Sequence, residues 1–165
     1  MFDTIAGLPL HPLVVHATEV IVPGAALAVL LAATWPRFRR WSGPLPLGLA
    51  LASLVLVPVT TQSGQALERR VGESSLIEIH SGLAEGLLPW VIGLVVVAGA
   101  TVWWNRGERR AGAARTPRWV GIALIAAAVT ATGGMTVRAI RIGHSGATAV
   151  WSQDMATTPA SGGAG

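Results

Sequence analysis

The chain has no cysteine, and this absence removes two classes of function at once. Neither disulfides nor thiolate metal sites can form, and no Cys-x-x-Cys-His segment exists to attach a haem covalently. Lysine is also missing, since all 12 basic residues are arginines. The sequence contains no Ser-His-Asp order, phosphate loop or paired carboxylate set that would indicate hydrolysis. We therefore assign no catalytic residue and do not expect a stand-alone enzyme.

Charged residues are scarce, at 12% of the chain, whereas 52% of the residues are hydrophobic. Four apolar stretches are long enough to cross a hydrocarbon core of about 30 Å, which takes about 20 helical residues. Lipid cannot satisfy a bare backbone, so each stretch is predicted to be helical. The sequence predicts an all-α integral membrane protein, an antiparallel up-down-up-down four-helix bundle. The helices are predicted at residues 13–35, 45–66, 82–104 and 119–143, in one domain of residues 1–151 followed by a disordered tail at residues 152–165.

Arginines are concentrated in the first and third loops, which an up-down-up-down bundle places on one side of the membrane. The positive-inside rule makes that side cytoplasmic and both chain termini extracytoplasmic. Anionic lipid headgroups explain these arginines more simply than nucleic acid, so no nucleic-acid partner is expected. Tryptophans border the same interface, where indole rings prefer to lie. The residues concerned are Arg37, Arg39, Arg40, Arg106, Arg109, Arg110, Arg115 and Arg118, with Trp35, Trp41, Trp103, Trp104 and Trp119.

All four histidines fall at the opposite, extracytoplasmic end of the predicted bundle. His16 and His80 begin the first and third helices at the same level, and we predict that their imidazoles converge inside the bundle. His11 and His144 are secondary candidates, because a histidine at a helix end more often caps the helix or bonds a backbone carbonyl.

Three ionisable side chains are predicted to lie at comparable depth near this end. A charge in the membrane usually faces the bundle interior and pairs with another charge, so Glu19, Glu85 and Arg138 are expected to pair. For Arg138 and Arg141 the alternative is that they extend to the outer headgroups.

A haem b held between the helices is the first use predicted for this end. His16 and His80 would supply its axial nitrogens, and Arg138 or Arg141 would lie near its propionates. Glycines would let the flat macrocycle approach the backbone. These are Gly82, Gly86, Gly133 and Gly134.

A mixed nitrogen and oxygen site for Zn, Cu or Fe is the second use. The His16-x-x-Glu19 spacing places both ligands on one helix face, and His80 would join with Glu78 or Glu85. Two alternatives without a cofactor stay open. One is a proton or ion pathway through Glu19, His16, Glu85 and Arg138, and the other is a scaffold or accessory membrane subunit.

The two predicted helical hairpins share a crude plan of a polar start, an apolar run and an arginine-rich turn. A hairpin duplication is an interpretation that the sequence leaves open.

Three segments resemble the bacterial family of small membrane proteins known as domain of unknown function 2231, with the actinobacterial type as the nearest likeness. They are Leu10-His11-Pro12-Leu13-Val14-Val15-His16, the Leu76-x-x-x-His80 start, and Arg141-Ile142-Gly143-His144-Ser145-Gly146-Ala147, within a likeness that runs from Met1 to Trp151.

The resemblance implies a four-helix integral membrane protein with two characteristic histidines, which map to His16 and His80. It gives no function, although some relatives carry cytochrome-type domains on the same polypeptide, which favours haem. This chain has Ala17-Thr18-Glu19 where many relatives carry Phe-Pro-Ile, so the resemblance gives Glu19 no role.

Together these observations predict a small multi-pass protein of a bacterial plasma membrane that contacts the lipid bilayer. We expect it to bind haem b, or alternatively Zn, Cu or Fe, near its extracytoplasmic face. Its role would be electron transfer or redox sensing with a quinone or a membrane redox partner. The oligomeric state stays open, with a homodimer among the alternatives.

Overall fold

The computed structural model describes residues 4–5, 8–71, 75–110 and 117–157, and they are almost entirely helical. This confirms the all-α class predicted from the sequence. The exception is a short antiparallel pair of two-residue strands in which Thr4 lies opposite Pro9. The elements are β1 (Thr4–Ile5), β2 (Leu8–Pro9), α1 (Leu10–Thr34), α2 (Pro36–Ser42), α3 (Leu45–Val71), α4 (Ser75–Glu85), α5 (Leu88–Arg110) and α6 (Arg118–Thr157).

Four helical segments are long and apolar enough to cross a membrane, as the sequence predicts. The third is divided, because α4 ends at Glu85 and α5 begins at Leu88. Pro89 explains the break, since it has no amide hydrogen and its ring crowds the carbonyl four residues earlier. The segments are Leu10–Thr34, Leu45–Arg70, Ser75–Arg109 and Arg118–Ala149.

The ends of the helices differ from the predicted bounds by several residues. α1 begins at Leu10 rather than at residue 13, and α3 continues to Val71. α6 runs on to Thr157, past Trp151, where the sequence suggested that the bundle ends. Residues 158–165 lie outside the described residues.

The helices form two antiparallel hairpins, α1 with α3 and α4–α5 with α6. The first helix of each hairpin packs against the second helix of both hairpins, so α1 and α4–α5 lie diagonally across the bundle. The core between the hairpins consists largely of small side chains, which allow close backbone approach in lipid. Its fully buried members include Ala25, Val29, Ala50, Val91, Leu94, Ala128 and Met135.

Arginines from the short helix α2 and from the end of α5 make contacts at one end of the bundle, which we call the arginine end. Arg39 in α2 forms an ion pair of 3.2 Å with Glu108, and its guanidinium lies 4.4 Å above the ring of Trp104. Arg109 donates to the carbonyl of Arg40 at 2.7 Å. These contacts join the turn after α1 to the end of α5. The opposite end, which carries His11, His16, His80 and His144, is the histidine end.

Candidate functional site

His11, at the start of α1, is fixed by the end of α3. Its Nδ1 atom lies 3.2 Å from the carbonyl oxygen of Thr60 and 3.1 Å from Oγ of Ser63. Ser63 Oγ itself donates to the Thr60 carbonyl at 2.9 Å. The hydroxyl hydrogen of Ser63 is therefore used in the bond to that carbonyl. Both the Thr60 carbonyl oxygen and Ser63 Oγ then act as acceptors toward Nδ1. Nδ1 must carry the hydrogen, which leaves Nε2 of the neutral ring with a free lone pair.

His80, in α4, has the same set of partners on α6. Its Nδ1 atom lies 3.2 Å from the carbonyl of Ile142 and 3.0 Å from Oγ of Ser145. Ser145 Oγ donates to the Ile142 carbonyl at 2.9 Å. By the same reasoning, Nδ1 carries the hydrogen and Nε2 is the free nitrogen.

A glycine follows each of these serines and lies close to the imidazole. A Cβ atom built on Gly64 would be 3.0 Å from Cε1 of His11, and one on Gly146 would be 3.1 Å from Cε1 of His80. One structural unit therefore occurs twice. It consists of a carbonyl, the serine three residues later and the glycine after that serine, namely Thr60, Ser63 and Gly64 on α3 and Ile142, Ser145 and Gly146 on α6. This repetition relates the two hairpins by an approximate twofold axis along the bundle, and it supports the duplication that the sequence left open.

The two imidazoles lie at the same end of diagonal helices, near enough that a positive charge on His80 would disfavour one on His11. The structure therefore groups His80 with His11. A hydrogen bond from Nδ1 to a carbonyl is the usual way in which proteins orient a histidine whose Nε2 binds a metal. Each ring of the pair therefore has an Nε2 lone pair that is chemically suited to bind a metal.

His16 does not converge with His80, and this expectation from the sequence is wrong. His16 is exposed, and its Nδ1 bonds the carbonyl of Pro12 in its own helix at 2.6 Å. Five residues separate it from His11, a rotation of about 140° around the helix. Because His11 faces α3, His16 points away from the bundle interior. His144 is also exposed.

The predicted pairing of Glu19, Glu85 and Arg138 is also wrong. Glu19 is exposed, and Glu85 accepts a 3.0 Å bond from Gln65. Arg138 lies against Gly86, where a Cβ would be 2.8 Å from its guanidinium. Neither Glu19 nor Glu85 forms an ion pair with Arg138, whereas Arg39 and Glu108 form one at the arginine end. Glu78 and Arg141 are exposed as well.

Two of the four glycines expected to border a macrocycle are covered by side chains. The guanidinium of Arg138 occupies the space over Gly86, and the ring of Trp90 packs directly on Gly134. The space over Gly82 and Gly133 is open. In the described part of the chain, no three potential ligands among His, Asp and Glu come together. The predicted ligand set of His16, His80, Glu19 and Glu85 is therefore not assembled within one chain.

Comparison with known families gives one match, which covers nearly all of these elements. The family described as predicted membrane protein (DUF2231) matches residues 7–159. The chain belongs to this family. The match confirms the resemblance seen in the sequence, and it includes both histidine–serine–glycine units. No curated protein matches the chain, and no solved structure does.

The residues that sequence reasoning missed in this DUF2231 chain are the partners of the two histidines. Ser63-Gly64 and Ser145-Gly146 are identical dipeptides near the ends of the second and fourth predicted spans. That repetition was the available signal. It points to His11, which the sequence pattern alone made only a secondary candidate.

Proposed function

We propose that His11 and His80 bind one transition metal through their Nε2 atoms, and that the protein acts in electron transfer or redox sensing. The observation that carries this proposal is that both rings are held through Nδ1 in the same way, at the same end of two diagonal helices. A metal between them would join the two hairpins at the histidine end.

The number of protein donors favours haem b iron over a free ion. A haem iron needs two axial nitrogens because the porphyrin supplies its other four ligands, whereas zinc sites use three or four protein ligands. Two imidazoles without a third ligand fit the haem requirement. The covered glycines Gly86 and Gly134 would not border the macrocycle, so this proposal rests on the donor pair alone. Haem iron would supply single-electron chemistry there, with a quinone or a membrane redox protein as partner.

We further propose that the histidine end is extracytoplasmic in a bacterial plasma membrane. The arginines at the other end support this orientation through the positive-inside rule. The chain has no cysteine, so single cysteines can report the topology. Arg106→Cys should be protected from an impermeant thiol reagent in intact cells, and Ile79→Cys should react.

The metal site can be tested with the purified protein in detergent, after production in the presence of a haem precursor. The measurements are a reduced-minus-oxidised absorption spectrum and elemental analysis. A Soret band identifies haem, and a stoichiometric metal without that band identifies an ion. His11→Ala and His80→Ala should abolish the signal, while His16→Ala and His144→Ala, both at exposed positions, should retain it.

Loss of the signal in His16→Ala with retention in His11→Ala would overturn the assignment of the pair. Absence of both haem and metal from the wild-type protein would overturn the cofactor proposal. The two imidazoles would then be links between helix ends, as expected of a scaffold or accessory subunit.

A further inference from the structure

One face of α1 carries ionisable side chains, and none of the residues that the structure describes covers it. His16 and Glu19 are both exposed on this face, followed by Val20, which is 73% exposed, and Leu27, which is 57% exposed. Nothing lies within 4 Å of a Cβ built on Gly24. Among the described residues, the Glu19 carboxylate has no hydrogen bond or ion pair.

The position of Glu19 along α1 makes this exposure unfavourable in a membrane. Trp35, 53% exposed at the arginine end, marks one interface. Glu19 lies 16 residues before it in the chain, which corresponds to about 24 Å along a helix. The hydrocarbon core is about 30 Å thick, so Glu19 is about one turn inside it. A carboxylate facing lipid at that depth costs on the order of a few kcal/mol.

Other exposed ionisable groups at the histidine end do not share this depth. Measured from Trp119 along α6, Arg141 is about 33 Å away and His144 about 37 Å away, beyond the hydrocarbon core. Glu85 lies close to the outer boundary and is bonded by Gln65. In the described part of the chain, Glu19 is thus the exposed carboxylate that needs a partner from outside.

We propose that the face of α1 formed by His16, Glu19, Val20, Gly24 and Leu27 binds the same face of a second copy of this chain. The face is self-complementary, because it carries a base and an acid three residues apart. In a parallel pair of helices related by a twofold axis, side chains one turn apart reach across the interface. Each Glu19 would then meet His16 of the second copy, and Gly24 would allow close approach.

This inference is independent of the proposed metal site, which uses His11 on a different face of α1 and His80 on α4. A failure of one therefore leaves the other intact. Spectra of metal-binding variants address the first, and association of copies addresses the second.

The absence of cysteine gives a direct test by cross-linking in membranes. Val20→Cys and Leu27→Cys lie on the proposed face, and Val137→Cys is the matched control. Val137 is also an exposed valine, 52% exposed, but lies on α6. Oxidation should convert most of the Val20→Cys protein into a band of twice the monomer mass. Val137→Cys should remain monomeric.

A second measurement uses full-length protein labelled for energy transfer and diluted in liposomes. Glu19→Leu should raise the dissociation constant of the dimer about tenfold or more, because two symmetric polar contacts are lost. Arg141→Leu, the matched control at an exposed position on α6, should leave it unchanged.

Several outcomes would overturn the proposal. They are a wild-type protein that stays monomeric at all lipid ratios, cross-linking of Val137→Cys in place of Val20→Cys, and an unchanged dissociation constant for Glu19→Leu. Capture of a different protein by Val20→Cys in its native membrane would also overturn it, since the partner would then not be a second copy.

Discussion

His11 on α1 and His80 on α4 occupy equivalent positions in two consecutive helical hairpins, each bonded through Nδ1 to a carbonyl and a serine on the second long helix of its own hairpin. Each ring also lies on a glycine that follows that serine. The approximate twofold axis of the bundle therefore relates equivalent side-chain contacts as well as equivalent helices. A ligand on that axis would have two equivalent donors, Nε2 of His11 and Nε2 of His80.

The serines should be equivalent in their effect on ligand binding. Ser63→Ala and Ser145→Ala each remove one partner of Nδ1, so each ring loses part of what fixes its tautomer and orientation. We expect each variant to weaken haem or metal binding by about tenfold to a hundredfold. Titration of the purified protein with haem or metal measures this. Ser81→Ala is the control, because Ser81 Oγ bonds only a carbonyl in its own helix. A large effect at one serine alone would contradict the equivalence.

The glycines beneath the two imidazoles should also be equivalent. A Cβ at Gly64 or Gly146 would lie 3.0 or 3.1 Å from a ring carbon, closer than ordinary van der Waals contact. Gly64→Ala and Gly146→Ala should each destabilise the protein by about 1 kcal/mol and displace the ring. Thermal unfolding in detergent measures the loss. Gly82→Ala, where the space is open, should be neutral or stabilising, and a similar loss there would show that the ring contacts are not the cause.

The topology could be predicted from the sequence because it depends on quantities that the sequence contains. The length of the apolar stretches predicts four spans, and the arginine loops predict which ends lie together. The contacts of Arg39 and Arg109 agree with the second point. The division of the third span was not predicted, although Pro89 was its visible cause.

The choice between His11 and His16 could not be predicted in the same way. In a soluble helix, an apolar stripe shows which face is buried. α1 is apolar around most of its circumference, because one side meets protein and the other meets lipid, so no stripe distinguishes the two histidines. Both belong to the opening segment that resembles the family, so the resemblance did not separate them either. Only the position of Thr60 and Ser63 opposite His11 decides the question.

Trp90 and Gly134 give a test of the packing between α5 and α6. The indole lies directly on the glycine, so an added methyl group must displace the ring. Gly134→Ala should destabilise the protein by about 1–3 kcal/mol. The neighbouring Gly133→Ala is the matched control, because a Cβ at Gly133 would face open space and alanine favours the helix. Calorimetry in detergent should therefore separate two adjacent, chemically identical substitutions. Equal unfolding temperatures would mean that Trp90 does not pack on Gly134.

Arg39 should be the arginine on which the stability of the arginine end depends. Its side chain is only 8% exposed, pairs with Glu108 and lies over Trp104, whereas Arg37 is exposed on the same short helix. Removing a buried member of an ion pair leaves its partner uncompensated, and Arg39→Ala also removes the contact with the indole. We expect a loss of about 2 kcal/mol for Arg39→Ala and less than about 0.5 kcal/mol for Arg37→Ala.

Arg39→Lys should fall between these two variants, because an ammonium keeps the charge but cannot stack as a planar guanidinium does. Unfolding in mixed micelles with increasing denaturing detergent gives the three values on one scale. If Arg39→Ala and Arg37→Ala unfold at the same point, the pair with Glu108 is a surface contact of little energy. In that case, α2 and the end of α5 would be held together mainly by the packing of the apolar helices.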